Sequence, residues 1–206
     1  MQIDCQKESV AYLYSLIISI VVPRPIAWIS SKSKDGIANL APFSFFNAFS
    51  IDPPILGVGI GSKRVLDQEG EPSVRPKDTF LNIEETGEFV VNIVTEDLAV
   101  KMNQSSASYP FHIDEFERTG LTPMPSVKVS APRLKESRVS MECELFQIIP
   151  LGKTNLVLGK ILYIHVDQSI YKEGQIDPRD WQPVGRLGGE SYCRGDSIFE
   201  LSRPEL

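Results

Sequence analysis

Cysteine and histidine are scarce in this 206-residue chain, which has only Cys5, Cys143, Cys193, His112 and His165. The cysteines are far apart and form neither a C-x-x-C pair nor a zinc-ribbon spacing. They fit a reduced, cytoplasmic chain, and no metal site is expected. H-E-x-x-H, G-x-S-x-G and G-x-x-x-x-G-K-[ST] are all missing, which removes the common metallohydrolase, serine-hydrolase and P-loop readings. The net charge is -6, and the lysines and arginines are interspersed with acids. No basic stripe is available to neutralise a phosphate backbone, so nucleic acid is not an expected partner.

Long hydrophobic runs are also missing. The longest, VAYLYSLIISIVV at 10–22, is too short to span a bilayer, and Asp4 and Glu8 deprive it of a signal peptide's positive flank. No membrane role is expected. Val10, Leu13, Tyr14 and Ile17 recur at helical spacing, which predicts a short amphipathic helix that joins the core and ends before Pro23.

The rest of the chain is strand-like. β-Branched and aromatic residues bounded by Gly, Pro and Asp mark strands at 26–31, 55–60, 89–94, 137–149 and 156–167. Two helices interrupt them, one at 78–85 capped by Asp78 and stopped by Gly87, the other at 96–105. The order predicts a mainly β fold with peripheral helices: a closed or split antiparallel barrel, with one domain spanning 1–206. Residues 171–194 (YKEGQIDPRDWQPVGRLGGESYCR) begin an irregular excursion that runs to the C-terminus at 206. Such a loop is usually functional or mobile.

The stretch NLAPFSFFNAFSIDPP at 39–54 fits no simple packing rule. Phe43, Phe45, Phe46 and Phe49 alternate with Ser44, Asn47 and Ser50, and Pro42 removes a donor that a central strand would need. One reading makes the phenylalanines core residues around an edge-strand bulge. The other makes them the apolar wall of a site for a tricyclic, phosphate-bearing cofactor, with the backbone groups freed by Pro42 facing the ring. Alternation in IAWISS puts Ile26, Trp28 and Ser30 on one face, and Trp28 is expected to fill the barrel. Gly57, Gly59 and Gly61 lie within a strand at the wrong spacing for a dinucleotide fingerprint, and are read as room for close packing. In LVLGKILYIHVD, Leu158, Leu162, Ile164 and Val166 share one face. Ile161, Tyr163 and His165 share the other, which is either structural or turned to a groove.

Four segments carry a resemblance: PRPIAWISS at 23–31, GIANLAPFSFFNAFSIDPP at 36–54, KDTFLNIEETGEFVVNIV at 77–94 and FERTGLTPMPS at 116–126. In them the chain resembles the flavin reductase-like family of FMN-binding split barrels, in the branch that includes flavoredoxins. The resemblance covers most of the first two-thirds of the chain and is loose beyond. It implies a homodimer with FMN in a groove at or near the subunit interface. Ser30, Ser31, Asn39, Leu40 and Ala41 would then line the ring and its polar edge, largely through backbone atoms, and Ser44, Phe45 and Phe46 would continue toward the ribityl and phosphate. Lys77, Asp78 and Thr79 match the family's K-D-T at a helix start, where donors and dipole favour phosphate. Asp78 has the competing role of N-cap. Arg24 is a second candidate for phosphate or ring edge, and His165 a candidate proton donor to reduced flavin. The implied activity is hydride transfer from NADH or NADPH to flavin N5. The alternatives are a flavoredoxin-like carrier reduced by a partner protein, or a non-catalytic flavin binder.

Overall fold

The computed structural model describes residues 1–66 and 70–204. Hydrogen-bonded neighbours in its main antiparallel sheet run Ala38–Phe43, Ala27–Lys32, Glu88–Ile93, Val139–Leu151, Thr154–Val166, Pro54–Leu66 and Phe46–Ile51. An eighth strand, Pro72–Pro76, pairs with the far half of Pro54–Leu66. All five predicted strands are present, with shifted ends. The two strands that end this path, Ala38–Phe43 and Phe46–Ile51, are consecutive in sequence and are not paired with each other. The sheet therefore curls until its edges meet at Ser44 and Phe45, and the barrel is split there. Phe45 accepts a bond from Gly59 N at 2.7 Å across this corner. Pro42 is tolerated because its strand is an edge, where the missing N–H interrupts no further ladder.

The barrel interior is a packed core that includes Ala27, Ile29, Val58, Phe89, Val91 and Cys143. Burial pushes the Cys143 thiol far above its ordinary range, so it is not a nucleophile. All three cysteines are unpaired. Trp28 does not fill this interior. It lies on the sheet's outer face in a second core with Ile26, Leu40, Met102, Phe116 and Leu134, and its Nε1 donates to Ser105 Oγ at 2.9 Å. The alternation of 26–31 is as expected, but the smaller Ala27 and Ile29 point inward, where Phe89 already takes much of the space.

On the outer face Asn92 joins four partners. Its Nδ2 donates to Trp28 O and Ser30 Oγ, while Oδ1 accepts from Leu134 N and Ser140 Oγ, all at 2.9–3.0 Å. A fully buried amide used at both ends fixes the 132–136 segment against the strands.

Two expectations need correction. The helix Val10–Ile20 forms, N-capped by Ser9, but none of its residues is buried. Val10, Tyr14, Ile17 and Ile20 are exposed, so this run is not core of its own chain. The helix Asp78–Thr86 starts one residue earlier in the capping sense than predicted: Lys77 is the N-cap, and its side chain makes no capping bond. Asp78 faces strand cations instead. Gly87 stops the helix as expected, with φ 74°.

The C-terminal excursion is partly ordered by pairing. Val184–Arg186 forms a hairpin with Tyr192–Arg194 and pairs with Arg24–Pro25. Among the described residues no helix is long and apolar enough to cross a membrane.

Candidate functional site

A continuous groove opens at the split of the barrel. Its central cavity, about 360 Å³, lies over Pro42, Phe43, Ser44, Phe45, Gly59 and Lys77. The glycines matter here because a Cβ on Gly59 would come 3.0 Å from Phe45 Cβ, and one on Gly57 would come 2.4 Å from Phe49 Cε2. The missing Cβ atoms make room for the close approach of Phe45 and Phe49, as the spacing suggests. The four phenylalanines thus divide: Phe43 is buried, Phe46 packs against the interior, and Phe45 and Phe49 stay exposed on the outer surface.

At one end the groove continues into a polar cavity of about 70 Å³, lined by Asn39, Ala41, Lys63, Lys77, Thr79 and residues 105–109 among others. Lys63 and Arg75, opposite each other in register, both reach the Asp78 carboxylate, Arg75 Nη2 at 3.0 Å. Within this trio one acid between two cations leaves a net positive charge, and Glu115 is a second acid in the cavity lining. Lys77 adds another: its ammonium lies 5.0 Å from the centroid of the Phe43 ring. Burial, and then the charge of Lys63, hold it below the ordinary lysine range. Among the described residues no ion pair to Lys77 is found, and a partly desolvated cation of this kind gains most from an anion placed beside it.

The floor of this polar end is held by a buried relay. Glu115 accepts from Asn39 Nδ2 at 2.9 Å and from Leu40 N at 3.0 Å. Thr79 Oγ1 donates to Asn39 Oδ1 at 2.7 Å, and Asn82 Nδ2 to Ser31 Oγ at 3.1 Å. Burial raises the Glu115 carboxyl despite the Leu40 and Asn39 bonds, and neighbouring Asp114 adds to the rise.

A further cavity of about 360 Å³ shares Tyr14, Pro42, Phe43 and Ser44 with the central one and Ser106 with the polar one. Arg24 and Arg186 line it. Arg24 is 6% exposed and spends its Nη atoms on Ile18 O, Val21 O and Leu187 O at 2.6–3.0 Å, closing the end of the first helix. Its Nε is buried without a partner.

Of the residues named from sequence, the structure brings Arg24, Asn39, Ala41, Ser44, Phe45, Lys77, Asp78 and Thr79 to the groove. Ser30, Ser31, Leu40 and Phe46 do not line it. Ser30 and Ser31 are fully buried in hydrogen bonds beneath it, Ser30 Oγ on Pro132 O. Leu40 belongs to the outer core. Ser105–Tyr109, Arg186 and Tyr192 were not picked out. A run of small hydroxyl residues after a helix (SSAS) was a local signal for the first of these.

His165 lines none of the three cavities. A bulge at Leu162, between the pairs Glu142↔Tyr163 and Cys143↔Ile161, sends Ile161 into the barrel and leaves Tyr163 and His165 outside. A one-residue slip reverses the face of all that follows. His165 Nε2 lies 2.6 Å from Glu142 Oε1, and Glu142 also accepts from Val127 N at 2.7 Å and Lys128 N at 2.6 Å. The histidine therefore braces a loop anchor, away from the groove.

Residues 19–179 match the family model described as "Flavin reductase like domain". An uncharacterized protein of Aquifex aeolicus is 41% identical over 183 residues, 88% of this chain and 89% of that one. Nitrilotriacetate monooxygenase component B of Bacillus cereus superposes with a TM-score of 0.89 at 33% identity, covering 98% of each chain. The 2-nitrobenzoate 2-nitroreductase of Pseudomonas fluorescens gives 0.86 at 31%, covering 99% of this chain and 96% of that one. With its split barrel and this match over most of its length, the chain belongs to the flavin reductase-like family.

Proposed function

We propose that the protein is an FMN-binding oxidoreductase that takes reducing equivalents from NADH or NADPH. The observation that carries this is the groove itself: a wall at Pro42, Phe43 and Phe45 that runs into a small, hydroxyl-rich cavity at Lys77 and Lys63. That is the shape and polarity sequence of a ring, a polyol and a phosphate. The residues present fit such a group. Lys77, Lys63 and Thr79 would hold the phosphate, with Ser105–Tyr109 opposite, and Ser44 the polyol. Bound flavin would supply the redox chemistry, accepting a hydride from the nicotinamide. The chain's own task is to hold the ring against the split edge, exclude water from one face, and offer hydrogen-bond donors where charge builds on reduction. His165 is given no part in this.

Assembly belongs to the same reading. Tyr14 stands on the exposed apolar helix Val10–Ile20 and lines two of the three cavities. That helix, with the exposed Phe45 lining the same cavity as Tyr14, is the kind of apolar surface that chains cover with a partner. We assign it to a homodimer that walls the groove. Steady-state oxidation of NADH or NADPH with added FMN tests the function. Flavin bound at full stoichiometry with neither nicotinamide oxidised would defeat the enzyme reading in favour of a carrier. Sedimentation of the same samples is expected to show a dimer that FMN strengthens, and a monomer with unchanged FMN affinity would remove the shared groove.

Lys77→Ala is expected to weaken FMN binding by about 1–3 kcal/mol, the range for a charge-assisted hydrogen bond, and to leave riboflavin binding nearly unchanged. Fluorescence titration of both flavins is the measurement. Equal losses for both would place Lys77 away from the phosphate.

A further inference from the structure

The cavity that adjoins the central one at Phe43 and Ser44 and the polar one at Ser106 has a charge pattern that the proposed flavin site leaves unused. Its lining includes Arg24 and Arg186 and no aspartate or glutamate. Arg186 comes from the Val184–Arg186 strand and crosses the cavity wall beside Tyr192. Its guanidinium carbon lies 4.4 Å from the centroid of the Tyr192 ring. Nη1 donates to the Tyr192 hydroxyl and Nη2 to Gly189 O at 2.5 Å. Both partners are neutral, and among the described residues no ion pair to Arg186 is found. The backbone around it is fixed: a Cβ on Gly188 would come 2.8 Å from Ser19 Oγ, and Gly189 has φ 57°. On the paired strand, directly opposite Arg186 in register, Arg24 is nine-tenths buried and its Nε has no partner.

A positioned, half-buried guanidinium without a carboxylate is costly unless an anion completes it, and Arg offers a planar fork suited to carboxylate or phosphate oxygens. We propose that Arg186 is the specificity residue for the second substrate, binding a carboxylate or phosphate of the molecule that exchanges electrons with the flavin. Tyr192 stacks beneath the guanidinium and sets its direction, and the unpartnered Arg24 Nε adds positive potential from the neighbouring strand. This rests on the flavin reading of the adjoining cavity and extends it to the chemistry of the co-substrate.

The test is calorimetric titration of purified protein, with and without FMN, against benzoate, its neutral analogue benzamide, and inorganic pyrophosphate. The wild type is expected to bind benzoate or pyrophosphate at one site per chain, and whichever binds identifies the anion as carboxylate or phosphate. Arg186→Gln is expected to weaken that anion at least about tenfold, the loss of one charged hydrogen bond, while leaving benzamide and FMN affinities unchanged. Arg186→Lys keeps the charge but loses the planar fork and the stacking on Tyr192, so its anion affinity should fall between those of the wild type and Arg186→Gln. A wild type that binds neither anion, or an Arg186→Gln variant with undiminished anion binding, overturns the proposal. So does an Arg186→Gln variant whose FMN affinity falls by the same factor, because the residue would then serve the flavin. Anion binding that depends on Arg186 in a protein that takes no FMN supports the site and overturns only the flavin reading. Should Arg186→Gln fail to fold, phenylglyoxal labelling of the wild type keeps the question open to measurement. The bound anion is expected to protect Arg186, and equal labelling with and without it would overturn the proposal.

Discussion

Glu142→Ala should cost about 3–5 kcal/mol of folding stability, the range for removing one member of a buried charged cluster. The Glu142 carboxylate is fully buried and accepts from Val127 N, Lys128 N and His165 Nε2 at 2.6–2.7 Å. Truncation leaves two backbone donors of the loop without an acceptor, and each such orphan is penalised separately. Glu142→Gln keeps the shape and one acceptor, so its loss should be smaller. The same cluster makes a pH prediction. Burial raises the Glu142 carboxyl, but the bonds from His165, Val127 and Lys128 together outweigh it and hold the group below the ordinary 4.5. A folded value below the unfolded one contributes stability above the ordinary value, and that contribution disappears as pH falls through the folded value. The gap between wild type and Glu142→Gln in urea titrations should therefore narrow below that ordinary glutamate value. A gap independent of pH, or a Glu142→Ala loss under about 1 kcal/mol, would mean that the carboxylate does not anchor the loop.

Gly159→Val should destabilise the barrel by about 3 kcal/mol, the upper end of the overpacking range. Gly159 faces the interior, where a Cβ would come 2.3 Å from Phe89 Cζ and 3.3 Å from Cys143 Cβ. The Phe89 ring is fully buried and has no free space into which to turn. Phe89→Ala alone should cost about 3–5 kcal/mol through the cavity it leaves. In the double variant the new valine occupies that cavity, so the combined loss should fall short of the sum by about 1–3 kcal/mol. The functional consequence is a negative one: because the groove lies outside the barrel, FMN binding per folded molecule should be unaltered in all three variants. Additive losses would show that the glycine and the ring do not compete for one space. A selective loss of FMN affinity would move the flavin inward.

Much of this protein is legible residue by residue because the signals are local. Alternation in IAWISS and FVVNIV, the glycines that stop or turn the chain, and the proline in NLAPFSFF each act within a few residues of where they are written, and they specify a mainly β chain with an edge at Pro42. The KDT tripeptide marks a helix start for a similar reason, although Asp78 serves Lys63 and Arg75 rather than the cap. Those two cations come from neighbouring strands that only the folded sheet brings opposite each other. Tertiary structure alone decided the rest. Trp28 lies outside the barrel because interior volume is shared with Phe89, 61 residues away in sequence. The bulge at Leu162 sends His165 away from the groove, and no alternation pattern reports an inserted residue whose cause lies on the partner strand. The helix Val10–Ile20 has an apolar face at the right period, yet periodicity carries no information about which surface, its own or a second copy's, that face will cover. Arg186 shows the same limit. In sequence it is one basic residue in a Gly- and Pro-rich segment, and that no acid among the described residues pairs with it can be seen only when the hairpin pairs with Arg24–Pro25 and closes the cavity wall.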